Sequence, residues 1–156
     1  MSVSAAIAYE LLKTCGLLEF ELKKRSSYLS AGHERRAEIN WSAAYAAIRQ
    51  LPPAVFFDKI SAESRDKFLG GSRDRPMIQF IVSDGGIHQA RYLPKPLPAN
   101  ASEALVNGMR RVRNNLFHGG KADPLEEASP GDDEAWANAA LDVANCLLLL
   151  IRDNGL

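Results

Sequence analysis

Apolar side chains recur every three or four residues along most of this chain, which is the spacing of a helix packed on one side. Leu11, Cys15, Leu18 and Leu22 follow this spacing and predict one long helix from about residue 4 to residue 30. The same period predicts four more helical stretches. They span about residues 33–50, 61–69, 102–118 and 133–154, with Pro52-Pro53, Gly70-Gly71 and Gly119-Gly120 as stop signals.

The same spacing predicts which faces of these helices are buried. Trp41 and Tyr45 belong to the apolar face of the second stretch. The fourth, capped by Asn100 or Ser102, has a core stripe of Leu105, Met109, Val112 and Leu116. In the last stretch Leu148, Leu149 and Ile151 widen the apolar face, so we expect it to be buried on more than one side. The polar segment from Ala122 to Asp133 is a predicted loop.

Between the third and fourth of these stretches the pattern changes to that of strands. Residues 77–82 and 87–93 are rich in β-branched and aromatic side chains, and the segment Asp84-Gly85-Gly86 between them is a strong turn signal. Three prolines, at positions 94, 96 and 98, then predict a stiff, extended connection. The pattern therefore predicts a mainly α fold, a helical bundle of four to five helices that forms a single domain over residues 1–156. Residues 76–98 are inserted before the fourth helix as a β-hairpin and a proline-rich segment.

Composition limits the classes of function. The 156 residues are 46% hydrophobic and 24% charged, and 19 basic side chains balance 19 acidic ones, so an anionic ligand needs a local basic patch. Cys15 and Cys146 have no disulfide or metal-ligand spacing, and we expect reduced, buried thiols. The longest apolar run, 146–151, is too short to span a bilayer, and the N-terminus has no signal-peptide pattern. We therefore expect a soluble, cytoplasmic protein with no membrane partner.

The strongest candidate for chemistry lies at the end of the fourth helical stretch. Residues 104–122 contain four basic side chains and no acidic one: Arg110, Arg111, Arg113 and Lys121. Arg113 is followed directly by Asn114 and, five positions on, by His118. A guanidinium binds phosphate through a fork of N–H donors, and an imidazole gives and takes a proton near neutral pH. Residue chemistry alone leaves open that the arginines form a solvated face and that His118 caps the helix.

Other candidate sites are weaker. His33 with Glu34 and Glu38 lacks the second histidine of a zinc-binding helix, so a solvated helix start is the favoured interpretation and no metal is expected. His88 lies in the predicted hairpin without a matched partner. No glycine-rich nucleotide fingerprint is present in the sequence.

The string Arg113-Asn-Asn-Leu-Phe-His118-Gly-Gly-Lys121 resembles the Arg-x4-6-His motif of HEPN domains, and in particular the bacterial branch that carries Arg-Asn-x-x-x-His-Gly-Gly. The resemblance covers nine residues and is compatible with a helical bundle. It implies a metal-independent endoribonuclease that needs no cofactor, often a toxin or part of a defence system. Such domains usually form homodimers in which two motifs face one cleft.

On this resemblance, three residues would be catalytic. His118 would act as general acid or base on an RNA hydroxyl, Arg113 would bind the scissile phosphate, and Asn114 would orient His118 or the phosphate. Arg110, Arg111 and Lys121 would bind the RNA backbone, an assignment that comes from local charge alone. Some members of the family have a tyrosine three positions after the histidine that a partner enzyme modifies. Lys121 stands there in this chain, so that regulation is not expected.

The alternative is a non-catalytic HEPN module that binds RNA, a nucleotide or a partner protein, such as an antitoxin or another defence component. The motif can also be accidental in an unrelated helical protein. For the homodimer, the sequence offers two apolar surfaces: the broad apolar face of the last helix, and Val106 with Phe117 beside Arg113.

Overall fold

The computed structural model describes residues 3–117 and 132–156. Within these residues the chain is mainly helical, as predicted, and forms five α-helices and two small two-stranded sheets. The helices are α1 (Ala5–Lys23), α2 (Trp41–Arg49), α3 (Ala62–Leu69), α4 (Ala101–Phe117) and α5 (Asp132–Arg152). His118 and Lys121 lie outside the described residues, as does most of the loop that we predicted from Ala122 to Asp133.

The hydrophobic core lies between α5 and the three helices α1, α3 and α4 that pack on it. The α1 stripe predicted from the sequence is confirmed, because Leu11, Cys15, Leu18 and Leu22 are all at most 3% exposed. On α4 the predicted core residues Leu105, Met109 and Val112 are likewise buried, and Leu116 is half-buried. These helices therefore form because each buries one apolar face against α5.

The prediction that α1 continues to about residue 30, with a second helix from residue 33, was wrong. A 3-10 turn over 26–28 follows α1, and the short strands β1 (Leu29–Ala31) and β2 (Ala37–Ile39) then pair antiparallel. The charged residues between them lack apolar side chains at helical spacing, so a helix there would bury nothing. Helix α2 begins only at Trp41, where Asn40 caps it by accepting a hydrogen bond from the Ala43 amide at 3.1 Å.

The predicted hairpin is confirmed. Strands β3 (Ile78–Asp84) and β4 (Ile87–Leu93) pair antiparallel, in register from Ile78 with Leu93 to Asp84 with Ile87. Gly85 and Gly86 connect them with φ angles of 55° and 84°, as a type I′ turn requires at both central positions. Side chains on the hairpin are mostly exposed, and it contacts the bundle chiefly where β3 meets α4.

Helix α4 carries Arg113 and Asn114, the start of the motif, and is fixed at several points. Asn100 caps its N-terminus by accepting from the Glu103 amide at 3.0 Å. Gly108 lies against α3 so closely that a Cβ atom there would be 2.5 Å from the ring of Phe68. At the far end, the Asn115 side-chain amide donates to the Met77 carbonyl at 2.9 Å, which ties α4 to the start of the hairpin. The motif therefore begins on a helix held by the bundle on one side and by the hairpin on another.

Helix α5 is buried on more than one side, as predicted, with Ala140, Val143, Leu147 and Ile151 fully buried. Leu149 is an exception and is 61% exposed. The segment Asp133–Arg152 is long and apolar enough to cross a membrane by length and composition, but 56% of it is buried inside the bundle, and a core helix meets the same criterion.

The two surfaces that the sequence offered for a dimer contact lie largely in the core. Val106 is fully buried, Phe117 is half-buried, and most of the apolar face of α5 is covered. A different apolar surface is exposed on α1, opposite its buried stripe. At 100° per residue its members fall on one side of the helix: Tyr9, Leu12, Gly16 and Phe20.

Candidate functional site

Arg113 and Asn114 stand in the last turns of α4, on the side that faces α1. The Arg113 side chain is 26% exposed, and its Nη2 lies 3.3 Å from Oε1 of Glu19 on α1. Its Nη1 donates to Oδ1 of Asn114 at 3.1 Å. The guanidinium is thus held from two directions while a quarter of the side chain remains open to solvent. An ion pair this exposed contributes at most about 1 kcal/mol, so another anion can compete with Glu19 for the arginine.

Arg113 and Asn114 line a pocket of about 300 Å³, here called the α1–α4 pocket. Its walls come from α1, α4, β2 and the start of α2. Two carboxylates, Glu19 and Glu38, line it together with the basic side chains Lys23, Arg110 and Arg113. The pocket can therefore hold a small polar or anionic group, and Glu19 restricts access to Arg113.

Cys15 also lines the α1–α4 pocket but is not suited to nucleophilic chemistry. Its side chain is 3% exposed, and its Sγ lies 3.9 Å from Sδ of Met109. Burial raises the pKa of the Cys15 thiol to about 12, against the weaker opposing effect of the Arg113 charge. The thiol is therefore protonated at physiological pH, and we assign it a packing role. Cys146 is half-buried, and both cysteines are free thiols, as expected.

Arg110, one turn before Asn114, is positioned by two aromatic rings of α2. Its guanidinium carbon lies 4.0 Å from the Trp41 ring centroid and 5.7 Å from that of Tyr45, and Nη1 donates to the Tyr45 hydroxyl at 2.7 Å. Cation–π contacts of this kind hold an arginine in place without neutralising its charge. No carboxylate among the described residues forms an ion pair with Arg110, so no described group neutralises its charge.

Arg111 does not fit the phosphate-binding role that we expected from its charge. It is 7% exposed and turns towards the base of the hairpin, where its guanidinium donates to three backbone carbonyls. These belong to Pro76 at 3.3 Å, Lys95 at 2.6 Å and Pro96 at 3.0 Å. Burial lowers the pKa of Arg111 from its usual value. The side chain holds the two ends of the hairpin segment together through its two Nη groups, while its buried Nε has no hydrogen-bond partner among the described residues.

His118 and Lys121 follow Phe117, the last described residue of α4. Their side chains lie outside the described residues, so the structure brings together Arg113, Asn114 and Arg110 but does not describe the histidine. The other two histidines are elsewhere. His33 lies between β1 and β2, and Nδ1 of His88 on β4 is 2.7 Å from the Ser83 hydroxyl.

Sequence reasoning missed three residues of this site: Glu19, Trp41 and Tyr45. Glu19 was recognised only as a charge off the apolar stripe of α1, and the two aromatic residues only as the apolar face of α2. Trp41 and Tyr45 are four positions apart and lie on one side of α2, with ring centroids 5.8 Å apart. That spacing predicts a shared face, but not that an arginine 65 residues later stacks on it.

No protein-family model, curated protein or solved structure matches this chain. The features of the chain that bear on its function are the string from Arg113 to His118, the cations Arg110 and Arg113 and the pockets beside α4.

Proposed function

We propose that this protein is a HEPN-like, metal-independent endoribonuclease. The observation that carries the proposal is the Arg113-Asn114-x3-His118 string at the end of α4. It begins where the partly exposed Arg113 meets the α1–α4 pocket. The adjacent Arg110, stacked on Trp41 and without a carboxylate partner in the described chain, supports an anionic ligand at this position.

The reaction assigns one task to each residue of the motif. His118 removes the proton from an RNA 2′-hydroxyl, or protonates the leaving 5′-oxygen, or does each in turn from two subunits. The 2′-oxygen attacks phosphorus, the bond to the 5′-oxygen breaks, and the products are a 2′,3′-cyclic phosphate and a free 5′-hydroxyl. Arg113 binds the phosphate and stabilises the charge that develops on its oxygens. Asn114 orients the phosphate or His118, and Arg110 and Lys121 contact the neighbouring backbone.

Glu19 sets the resting state of Arg113 in this scheme. A phosphate that approaches Arg113 brings two acceptor oxygens in a geometry that matches the guanidinium fork, whereas Glu19 contributes one oxygen at 3.3 Å. The phosphate therefore displaces Glu19 or shares the guanidinium with it. We expect Glu19 to keep Arg113 in place before RNA binds and to lower its affinity for anions.

We also propose that the protein acts as a homodimer in the cytoplasm, as a toxin or defence component with a partner protein such as an antitoxin. The exposed α1 face of Tyr9, Leu12, Gly16 and Phe20 supports a two-fold contact. Phe20 directly follows Glu19, so a contact there lies beside the α1–α4 pocket. Light scattering at micromolar concentration should give a dimer mass, and a monomer mass would count against a shared active site.

Cleavage of a defined RNA in EDTA tests the proposal. Wild type and His88→Ala should cleave, whereas His118→Ala and Arg113→Ala should lose at least about a hundredfold in rate, the scale of a lost acid–base group. His88→Ala is the matched control because it removes an exposed histidine outside the motif. Cleavage that survives His118→Ala, or that requires magnesium, would refute this mechanism.

A non-catalytic binding module is the second candidate. The contact of Glu19 with Arg113 favours it, because the arginine that would bind phosphate is already paired with a carboxylate. This candidate predicts saturable binding of RNA, a nucleotide or a partner protein, weakened by Arg113→Ala, without turnover. Chain scission by wild type that is lost in His118→Ala would exclude it.

A further inference from the structure

A second cavity, of about 570 Å³, lies on the other side of α4, between that helix, the base of the hairpin and the proline-rich connection 94–98. It is called the hairpin pocket here. Its volume is within the range of about 300–1,000 Å³ that is typical of small-molecule sites. Arg110 and Asn114 line both this pocket and the α1–α4 pocket, so these two residues separate the two neighbouring cavities.

The lining of the hairpin pocket is basic and contains no acidic side chain among the described residues. Lys95, Arg110 and Arg111 contribute three positive charges, and no carboxylate of the described chain forms an ion pair with any of them. The α1–α4 pocket differs, because Glu19 and Glu38 line it. An anionic ligand is therefore attracted more strongly to the hairpin side of α4.

Besides these charges, the hairpin pocket has the two kinds of side chain that recognise a nucleobase. Tyr92 of β4, half-buried, presents an aromatic ring, and bases stack on such rings whatever their sequence. Amide side chains of Gln79, Asn107 and Asn114 supply both donors and acceptors for a base edge.

We propose that the hairpin pocket binds one unpaired nucleobase of the RNA, next to the phosphate that Arg113 holds. This rests on the proposed function for the identity of the polymer, and it adds a subsite that the motif does not contain. Asn114 links the two sites, because its Oδ1 accepts from Arg113 while its side chain lines the hairpin pocket. The base on one side of the cleaved bond stacks on Tyr92, and purines bind better than pyrimidines because they offer a larger stacking surface.

The buried Arg111 gives this pocket its shape. By binding the carbonyls of Pro76, Lys95 and Pro96, it fixes both ends of the hairpin segment against α4. Asn115 adds a bond to Met77 from the next position of α4. The pocket is therefore formed before a ligand binds, which lowers the entropic cost of binding.

The test measures the affinity of the full-length protein for two single-stranded oligonucleotides of equal length and equal charge. One is a 2′-O-methyl oligoadenylate, which cannot be cleaved by 2′-oxygen attack, and the other is its fully abasic counterpart. Wild type should bind the oligonucleotide with bases about tenfold more tightly, a ratio typical of one stacked base. Tyr92→Ala should reduce the ratio to about one, whereas Tyr92→Phe, which keeps the ring, should preserve it.

Two further variants separate a local effect from a change of fold. Ile87→Ala removes an exposed side chain at the turn end of β4, outside both pockets and outside the α1 face, and should leave the ratio unchanged. Gln79→Met keeps the length of the side chain and leaves Tyr92 in place, but removes the amide that can bond a base edge, and should lower the preference for bases. An unchanged ratio in both Tyr92→Ala and Gln79→Met would overturn the proposal, as would a wild-type ratio of one.

This outcome is independent of whether the protein cuts RNA. If the motif is not catalytic, the base preference and its loss in Tyr92→Ala are still measurable by binding. If wild type cleaves RNA in EDTA but Tyr92→Ala cleaves with unchanged base preference, the nuclease assignment stands and the base subsite is refuted.

Discussion

Two glycines inside helices of this protein should respond in opposite ways to the same substitution. A Cβ atom at Gly108 of α4 would lie 2.5 Å and 2.6 Å from Cδ1 and Cε1 of Phe68, whereas one at Gly16 of α1 would meet nothing within 4 Å. Carbon atoms in contact are normally about 3.5–4.0 Å apart, so Gly108→Ala creates an overlap of about 1 Å. Phe68 is 1% exposed and packs on Trp136 at 5.3 Å, so its ring cannot simply move aside.

The size of the effect follows from two opposing contributions. Alanine in place of glycine inside a helix stabilises the protein by about 0.5–1 kcal/mol. Overpacking of a core costs about 1–3 kcal/mol. Gly16→Ala should therefore raise the free energy of unfolding by about 0.5–1 kcal/mol, and Gly108→Ala should lower it by about 1 kcal/mol.

Thermal and urea unfolding of both variants, followed by circular dichroism, measure this difference. At about 2–4 °C per kcal/mol for a chain of this size, the two melting temperatures should differ by about 3–8 °C. Since Gly16 lies on the α1 face that we propose for dimer contact, the variants are compared at two protein concentrations. Phe68→Leu should cost less in the Gly108→Ala background than in wild type, because it relieves the overlap. Equal stabilisation by both alanines would refute the close α3–α4 contact.

Three further predictions concern the residues around the site. Arg111→Met should lower the free energy of unfolding, measured by urea titration, by about 2–4 kcal/mol, because the three carbonyl acceptors lose their charged donor. A change below about 0.5 kcal/mol would contradict the structural role of Arg111. Glu19→Gln should tighten the binding of a non-cleavable RNA about two- to fivefold, because it removes the carboxylate that competes for Arg113. Weaker binding would instead show that Glu19 positions Arg113 for the RNA. Iodoacetamide, which reacts with thiolates, should label Cys15 much more slowly than Cys146 in the native protein at pH 8, since the change of the Cys15 pKa from 9.0 to about 12 lowers its thiolate fraction about a thousandfold. Burial and Asp142 raise the pKa of the half-buried Cys146 as well, so its labelling should also be slower than in the unfolded protein. Native labelling of Cys15 as fast as that of Cys146, read by mass spectrometry, would contradict the burial of Cys15.

The elements that the sequence predicted correctly are those in which one local signal is unambiguous. The stripes of α1 and α4 and the Asp84-Gly85-Gly86 turn needed no information from distant residues, because helical spacing and the left-handed φ angles of glycine are local properties. The segment 24–40 was predicted wrongly because it was joined to its helical neighbours, although its charged residues offer no apolar face. Leu149 was assigned to the buried face of α5 and is exposed, since a helix with apolar residues on all sides does not reveal which side faces solvent.

The candidate site shows a different limit. Local charge identified Arg110, Arg111 and Arg113 together, but the three side chains turn in three directions: to the aromatic rings of α2, to the base of the hairpin and to Glu19 on α1. Successive helical positions differ by 100° in direction, so neighbouring arginines need not act together. Which arginine meets a ligand depends on packing between helices that are distant in sequence.

The most direct test of the central claim is the chemistry of the ends that the purified protein leaves on a defined RNA in EDTA. If Arg113 and His118 catalyse attack by the 2′-oxygen, mass spectrometry should find a 2′,3′-cyclic phosphate on the upstream fragment and a 5′-hydroxyl on the downstream fragment. The cyclic phosphate is recognised because it is lighter by one water than the 2′- or 3′-monophosphate formed when the ring is hydrolysed. The same fragments should be absent with His118→Ala and present with His88→Ala. Fragments with 3′-hydroxyl and 5′-phosphate ends, or intact RNA with every variant, would contradict the account.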